Sequence, residues 1–81
     1  MNNLNKSKRL AYALKGRYII EDIPKDIKRR RKCIKMGITI NKEIYVPRDR
    51  FYGTGVVVIK DGDKFIPVNG IMKYDIIVRE I

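Results

Sequence analysis

Apolar and polar residues alternate with two different periods along this chain. Up to Gly37, two segments, residues 6–14 and residues 24–36, have apolar residues spaced for one face of a helix: Leu10, Ala13 and Leu14 in the first, Ile27 and Ile34 in the second. Gly16 and Gly37 follow these segments and are placed to end the helices. Residues 17–23 lie between the two segments, are rich in β-forming side chains and predict a strand.

Beyond Gly37 the apolar residues alternate with polar ones, and this period of two predicts short strands. The strands are expected at residues 43–46, 55–60, 64–68 and 75–81. Asp61-Gly62 separates the second of them from the third, and Asp-Gly between β-forming runs is the strongest short-range signal of a hairpin. Because five short strands are too few for two stacked sheets, we expect them to curl into a small barrel that hides most of its edges.

The predicted fold is therefore mostly β with short helices. It is a small β-barrel of about five strands, with one N-terminal helix and one basic helix after the first strand. A chain of 81 residues of which 44% are apolar is long enough for one domain with one core. Residues 1–81 are thus expected to form a single domain, in which residues 1–9 are free to be flexible.

Positive charge is concentrated in the first half of the chain and above all in the second helix. The net charge is +10, and residues 1–35 carry 12 of the 19 Lys and Arg but 3 of the 9 Asp and Glu. On a helical wheel, Ile27 and Ile34 share a face, which we expect to be the buried one, with Cys33 at its margin. The opposite side carries the cations Lys28, Arg29, Lys32 and Lys35, and Arg31 is a further candidate for binding a partner.

Arg30 occupies a different position from the other cations of this helix. It lies on the wheel between Ile27 and Cys33, so it is the least free to face water. We expect its guanidinium to pair with a carboxylate, such as that of Asp22 or Asp75.

The run of five cations at residues 28–32 has three interpretations, which the sequence leaves open. It can be a solvated helix face whose long side chains cover apolar area while their charged ends stay in water. It can bind an acidic protein or an anionic membrane surface. It can also grip the phosphates of a nucleic acid, with salt-dependent affinity, although a partner of this class is the less expected one.

Residue types that carry catalysis and metal binding are scarce. The chain has no His and a single Cys, so we expect no catalytic residues, no cofactor and no metal ligands. Cys33 is predicted to be a small buried apolar residue, and Asp61-Gly62-Asp63 has too few ligands for a calcium loop. A lone Cys also excludes an internal disulfide, and no apolar run suits a signal peptide or a bilayer span. A cytoplasmic location is therefore expected.

Two adjacent aromatic residues mark the segment between the second and third predicted strands of the barrel. Phe51 and Tyr52 are followed by Gly53-Thr54-Gly55. The rings could form a stacking or peptide-docking platform, or one ring could close the end of the barrel. Both interpretations stay open, and Phe51 and Tyr52 join the cations of the basic helix as candidate partner-binding residues.

Residues 30–44 resemble the signature of the FeoA family of ferrous iron transport accessory proteins. In that signature two basic residues and a Leu are followed by Met or Leu, Gly, an apolar residue and, three positions later, a second Gly. Here the corresponding positions hold Met36, Gly37, Ile38 and Asn41. Asn replaces the second Gly, and Asn is among the few other residues that adopt positive φ at little cost. The resemblance extends over about residues 10–80.

The resemblance implies an SH3-like barrel that acts by binding protein. The expected partner is the membrane ferrous iron transporter with a G domain, FeoB, whose transport activity the domain would modulate from the cytoplasm. An anionic membrane surface is a further expected contact, and a small basic barrel that binds nucleic acid is the alternative. A relation to the FeoA-like barrel of metal-dependent repressors is disfavoured because no helix-turn-helix domain precedes it. Oligomeric state is not implied.

Overall fold

In the described part of the chain, six strands form one antiparallel sheet in the order β1-β6-β2-β3-β4-β5. The computed structural model describes residues 6–47 and 56–81. Its elements are β1 (Ser7–Arg9), a 3-10 turn (Leu10–Tyr12), β2 (Gly16–Asp22), α1 (Ile27–Lys35), β3 (Glu43–Val46), β4 (Val56–Asp61), β5 (Lys64–Asn69), α2 (Met72–Asp75) and β6 (Ile77–Glu80).

One apolar cluster forms the core, and strands β2 to β6 all contribute to it. The buried residues alternate along the strands, as Tyr18 and Ile20 do in β2 and Ile66 and Val68 do in β5, because successive side chains of a strand point to opposite faces. Since one cluster collects residues from five strands, the sheet must curve around it. The fully buried members include Leu10, Ile20, Cys33, Ile38, Ile59, Val68, Ile76 and Val78.

The predicted fold class, mostly β with short helices, is confirmed for the described residues, whereas the predicted barrel is wrong because the sheet does not close. The sheet has six strands there, and its two edges, β1 and β5, are not paired with each other. The short helix α2, which the sequence analysis did not predict, lies in contact with β5, with the 3-10 turn and with β1. It occupies the gap between the edges, and Pro67 in β5 has no N–H to donate across that gap.

The predicted N-terminal helix over residues 6–14 is also wrong. Ser7–Arg9 is a strand that pairs with β6, and only Leu10–Tyr12 coil, into one 3-10 turn. A helix of nine residues is marginal by itself, whereas the extended segment gains a long-range bond from the amide of Leu10 to the carbonyl of Ile76, 2.8 Å away. Gly16 begins β2 and does not end a helix.

The predicted hairpin is confirmed. β4 and β5 pair in continuous register from Val56 and Asn69 to Asp61 and Lys64. The two-residue turn is Gly62-Asp63, and Gly62 has φ +62°, as the first central position of a type II′ turn requires. The predicted strands at residues 17–23 and 43–46 appear as β2 and β3, and the strand expected at 75–81 begins later, at Ile77, because Met72–Asp75 is helical.

Candidate functional site

The basic helix α1 starts and ends at well-formed caps. Pro24 and the following residues turn the chain out of β2, and the carboxylate of Asp26 accepts a hydrogen bond from the amide of Arg29 at 3.1 Å, which is the N-cap arrangement. The helix therefore begins at Ile27, three residues later than the sequence pattern predicted. Only nine residues remain helical, and these carry the whole run of cations.

At the other end, Gly37 reverses the chain with φ +89°. Its amide donates to the carbonyl of Ile34 at 3.0 Å, and the amide of Ile38 donates to the carbonyl of Cys33 at 2.8 Å. This pair of bonds is a Schellman motif. Met36 is the half-buried C-cap residue, and Ile38 is fully buried next to the end of the helix. The predicted helix stop at Gly37 is thus confirmed.

Asn41 has φ +73°, so the prediction that it takes the conformation of a glycine is confirmed. Its amide donates to the carbonyl of Ile20 at 2.7 Å, and the amide of Ile20 donates to the carbonyl of Lys42 at 2.9 Å. The turn at Asn41 thereby joins β2 just before β3 begins. The signature residues Met36, Gly37, Ile38 and Asn41 form the junction between α1 and the sheet.

The face of α1 that packs on the core is not the predicted one. Cys33 is the buried residue of the helix, whereas Ile27 and Ile34 are 62% and 51% exposed. The prediction that the two isoleucines face the core is therefore wrong. Cys33 is fully buried in the core, and Arg29 and Arg30 are half-buried.

Arg29 and Arg30 both bond within the domain, with partners that differ from the expected ones. Nη1 of Arg30 donates to the carbonyl of Pro24 at 3.2 Å, so its predicted pairing with Asp22 or Asp75 is wrong. Nη1 of Arg29 lies 3.5 Å from a carboxylate oxygen of Asp75. Arg29 was expected on the free cationic side of the helix, and here it links α1 to the end of α2.

The other four cations of α1 face outward. Lys28, Arg31, Lys32 and Lys35 are exposed, and none of them makes a side-chain ion pair within residues 6–47 and 56–81. Lys42 and Lys64 lie close to the C-terminal end of the helix, since their Nζ atoms are both 3.9 Å from the place a side chain at Gly37 would occupy. Nζ of Lys42 is 2.8 Å from the carboxylate of Asp61.

Lys42 and Lys64 are functional candidates that the sequence analysis missed. They come from the segments before β3 and at the start of β5, far from α1 in the sequence, and no local pattern links them to Gly37. The candidate residues Phe51 and Tyr52 lie outside the described residues. Of the remaining candidates, the structure brings Lys28, Arg31, Lys32 and Lys35 together on one surface.

Cys33 has the environment of an inert core thiol. Burial raises the pKa of this thiol above its ordinary value, the Asp75 carboxylate acts in the same direction, and the Lys32 ammonium opposes both. Its Sγ lies 4.0 Å from Sδ of Met72. A thiol that is buried against a thioether and held protonated is a poor nucleophile and a poor metal ligand.

The clefts around α1 carry charges of both signs. One cleft between the start of α1, the end of β2 and α2 is lined by the carboxylates of Asp22, Asp26 and Asp75 together with the cations Arg9, Lys25 and Arg29.

Within the part of the chain that the structure describes, no three His, Cys, Asp or Glu side chains are grouped to hold a metal ion, and no helix has the length and apolar character to span a membrane. The chemistry of the site is that of a charged surface.

Comparison with known proteins matches this fold to a solved structure. No family model matches the sequence, and no curated protein matches it. Among solved structures, the crystal structure of the iron uptake regulatory protein FeoA superposes with a TM-score of 0.76 at 21% sequence identity, over 94% of this chain and 99% of that chain. The predicted resemblance to FeoA is therefore confirmed at the level of the fold. This chain has a FeoA-like fold over nearly its whole length.

Proposed function

We propose that this protein is an accessory protein of ferrous iron uptake. The observation that carries the proposal is the match of nearly the whole chain to the fold of an iron uptake regulatory protein. The match covers 94% of this chain and 99% of that chain. The sequence signature at residues 30–44 falls on the α1–β3 junction, where it sets the helix end and the turn.

The proposed action is the binding of another protein, with no reaction catalysed by the domain itself. The one thiol is buried with a raised pKa, and the chain has no His, so its side chains are poorly suited to ligate ferrous iron or to transfer protons near neutral pH. The proposed partner is the cytoplasmic G domain of the membrane iron transporter, FeoB, and the proposed effect is modulation of transport from the cytoplasm.

The exposed cations of α1 are proposed to lie at the rim of the contact with this partner and to attract it electrostatically. Lys28, Arg31, Lys32 and Lys35 project from a helix that is capped at both ends, so the helix that carries them is formed before the partner binds. Cations at the rim of an interface raise the association rate toward an acidic partner and make it depend on salt.

A pull-down with the soluble G domain of the transporter tests this proposal. The domain is immobilised with GDP or with a non-hydrolysable GTP analogue, at low and at high salt. We expect retention that falls as salt rises, and a clear loss of retention for the double variant Arg31→Gln/Lys35→Gln. The double variant Lys6→Gln/Arg17→Gln removes the same charge outside α1 and should retain binding. If neither nucleotide state retains the protein at low salt, the docking proposal is wrong.

Nucleic-acid binding is the second candidate function, and the four exposed cations of α1 favour it. Several phosphate contacts would make the logarithm of the affinity for a mixed-sequence duplex fall steeply with the logarithm of the salt concentration. Under this alternative, Lys32→Glu should abolish duplex binding. Duplex binding with such a slope, together with no retention on the G domain, would favour this function over the first.

A further inference from the structure

The outward side of α1 combines two exposed isoleucines with four exposed cations, and none of these six residues packs on the core. We call this surface the α1 outer face and define it as Ile27, Lys28, Arg31, Lys32, Ile34 and Lys35. At about 100° per residue, Ile27 and Ile34 lie next to each other on the helix surface with Arg31 beside them. The lysines continue the face on the other side of Arg31.

We propose that the α1 outer face binds an anionic lipid bilayer, with Ile27 and Ile34 inserted at the headgroup level and the four cations between the lipid headgroups. This inference goes beyond the proposed function, since it concerns a surface other than a protein. Helices with cations on one side and aliphatic residues beside them lie in the membrane interface. Each cation near an anionic leaflet adds to the binding.

The composition of the whole face, cations and isoleucines together, favours lipid over nucleic acid and over the buried centre of a protein interface. The buried centre of a protein–protein interface is depleted in lysine and enriched in aromatic residues and arginine, whereas this face has three lysines, one arginine and no aromatic ring. Nucleic-acid phosphates would use the cations but would leave Ile27 and Ile34 in water. At a bilayer surface, long lysine side chains can lie along the apolar boundary while their ammonium groups reach the headgroups.

The α1 outer face also needs no folding step before it binds, because α1 is already helical in the domain. Asp26 caps the start of α1, the Schellman motif at Gly37 closes its end, and Cys33 holds it on the core. Many interfacial peptides must fold on the bilayer, whereas this helix is already formed. No acidic residue occurs within Ile27–Lys35, and so no charge inside the helix opposes the approach to an anionic surface.

Vesicle flotation with the full chain tests the proposal. One set of vesicles is phosphatidylcholine alone, and the other contains about 30% phosphatidylserine, at about 0.1 M and about 0.5 M salt. We expect binding to the anionic vesicles at the lower salt and none to neutral vesicles. Lys28→Gln/Lys35→Gln should weaken binding roughly 20-fold or more, whereas Lys6→Gln/Arg17→Gln, with the same charge change, should weaken it by less than about fivefold.

The isoleucines provide the sharper part of the test. Ile27→Ser/Ile34→Ser should weaken binding roughly tenfold or more, and Leu14→Ser should leave it unchanged, since Leu14 is equally exposed, at 53%, but lies outside α1. If the serine variant binds like the unmodified protein, insertion is wrong and attraction is purely electrostatic. Absence of any binding to anionic vesicles at the lower salt also overturns the proposal.

An independent fluorescence measurement keeps the test decisive if the serine variant folds poorly. The chain has no Trp, so the Ile34→Trp variant carries a single indole on the α1 outer face. Its emission should shift to shorter wavelength with anionic vesicles, while that of Leu14→Trp should not. If Ile34→Trp responds to a DNA duplex or to the transporter's G domain but not to vesicles, the face belongs to that partner and the lipid proposal is wrong.

Discussion

At the scale of the residue, Gly37 shows how one position joins local and long-range structure. Its φ of +89° lets the chain leave α1 and return to the core, where Ile38 is fully buried. A side chain at this position would meet only the ends of flexible side chains, at 3.9 Å. The requirement for Gly therefore comes from the backbone conformation and not from lack of space.

Gly37→Ala should lower the free energy of unfolding by about 1–2 kcal/mol, the usual cost of an L-residue in the left-handed region. Asn41→Gly is the matched control: Asn41 has φ +73°, so glycine relieves strain there and should change the stability by less than about 0.5 kcal/mol. Urea unfolding followed by circular dichroism measures both. Equal stability of Gly37→Ala and the unmodified protein would contradict the Schellman geometry.

Cys33 contributes a pH dependence whose sign follows from its raised pKa. A thiol with a higher pKa in the folded than in the unfolded state stabilises the fold fully below its ordinary pKa, and this contribution is lost as pH rises through the folded pKa. The free energy of unfolding should therefore fall above about pH 9 by more in the unmodified protein than in Cys33→Ala.

The comparison with Cys33→Ala isolates the part of the pH dependence that comes from Cys33. Cys33→Ala itself should cost roughly 1 kcal/mol at neutral pH because a buried side chain is shortened. The difference between the two unfolding curves should stay constant at neutral pH and shrink at alkaline pH. A difference that grows with pH would mean that the folded protein favours the thiolate.

At the scale of the element, the N-terminal segment is where local propensity and tertiary contacts disagree. Residues 6–14 have the spacing of a helix face, yet Leu10 and Ala13 reach the core from a 3-10 turn and an extended segment. The backbone of β1 bonds to β6, and the amide of Leu10 reaches the carbonyl of Ile76. A single turn of helix could not supply those bonds.

Proline substitutions distinguish a strand from a helix at this place. Arg9 has φ −73° and lies on the edge strand, and its amide points away from β6 in the observed register, so Arg9→Pro should change the stability by less than about 1 kcal/mol. Lys8 lies opposite Val78 in the hydrogen-bonded register of Leu10 and Ile76, so Lys8→Pro should cost roughly 1–3 kcal/mol.

Thermal unfolding of the two variants gives the answer. If residues 6–14 were helical, Lys8 would lie in the first turn, where amides have no intrahelical partner, and Arg9→Pro would be the more damaging variant. A large loss of stability for Arg9→Pro would therefore contradict the edge strand.

The element scale also explains why the orientation of α1 could not be predicted. Its nine residues contain three apolar side chains, and the helical wheel places two of them, Ile27 and Ile34, on one side. The sequence therefore predicts that this side is the buried one. In the structure Cys33 is the buried residue, because contacts outside the helix fix its orientation. Arg29 pairs with Asp75 and Arg30 bonds to the carbonyl of Pro24. These contacts come from three separate segments.

At the scale of the whole molecule, the balance of charges affects stability as well as binding. The net charge of +10 makes the folded state repel itself, while the five ion pairs among the described residues lie at partly exposed positions and are each worth less than about 1 kcal/mol. Salt screens both the repulsion among the cations and the attraction within the ion pairs. The larger of the two effects therefore decides whether added salt raises or lowers the stability.

We expect the midpoint of thermal unfolding to rise when sodium chloride is raised from about 0.05 M to about 0.5 M, because repulsion among the cations outweighs the surface pairs. Lys28→Gln/Lys35→Gln removes two charges from α1 without breaking an ion pair of the described residues, and it should make the midpoint less dependent on salt. A midpoint that falls with salt would show that the ion pairs dominate.

The sequence by itself determined the features that depend on neighbouring residues. The strand β3, the hairpin β4–β5, the end of α1 at Gly37 and the positive φ of Asn41 all follow from the period of apolar residues and from the few residue types that adopt positive φ. The FeoA-like signature could likewise be identified from neighbouring residues, since its members form one helix end and one turn.

Only the tertiary structure decided how these elements meet. It made Ser7–Arg9 a strand, placed α2 between the two sheet edges and turned Ile27 and Ile34 outward. Each of these outcomes depends on contacts between residues far apart in the chain, such as Leu10 with Ile76 and Arg29 with Asp75. Together such long-range contacts outweigh the weak helical preference of a nine-residue segment. They cannot be predicted from the spacing of apolar residues along the chain.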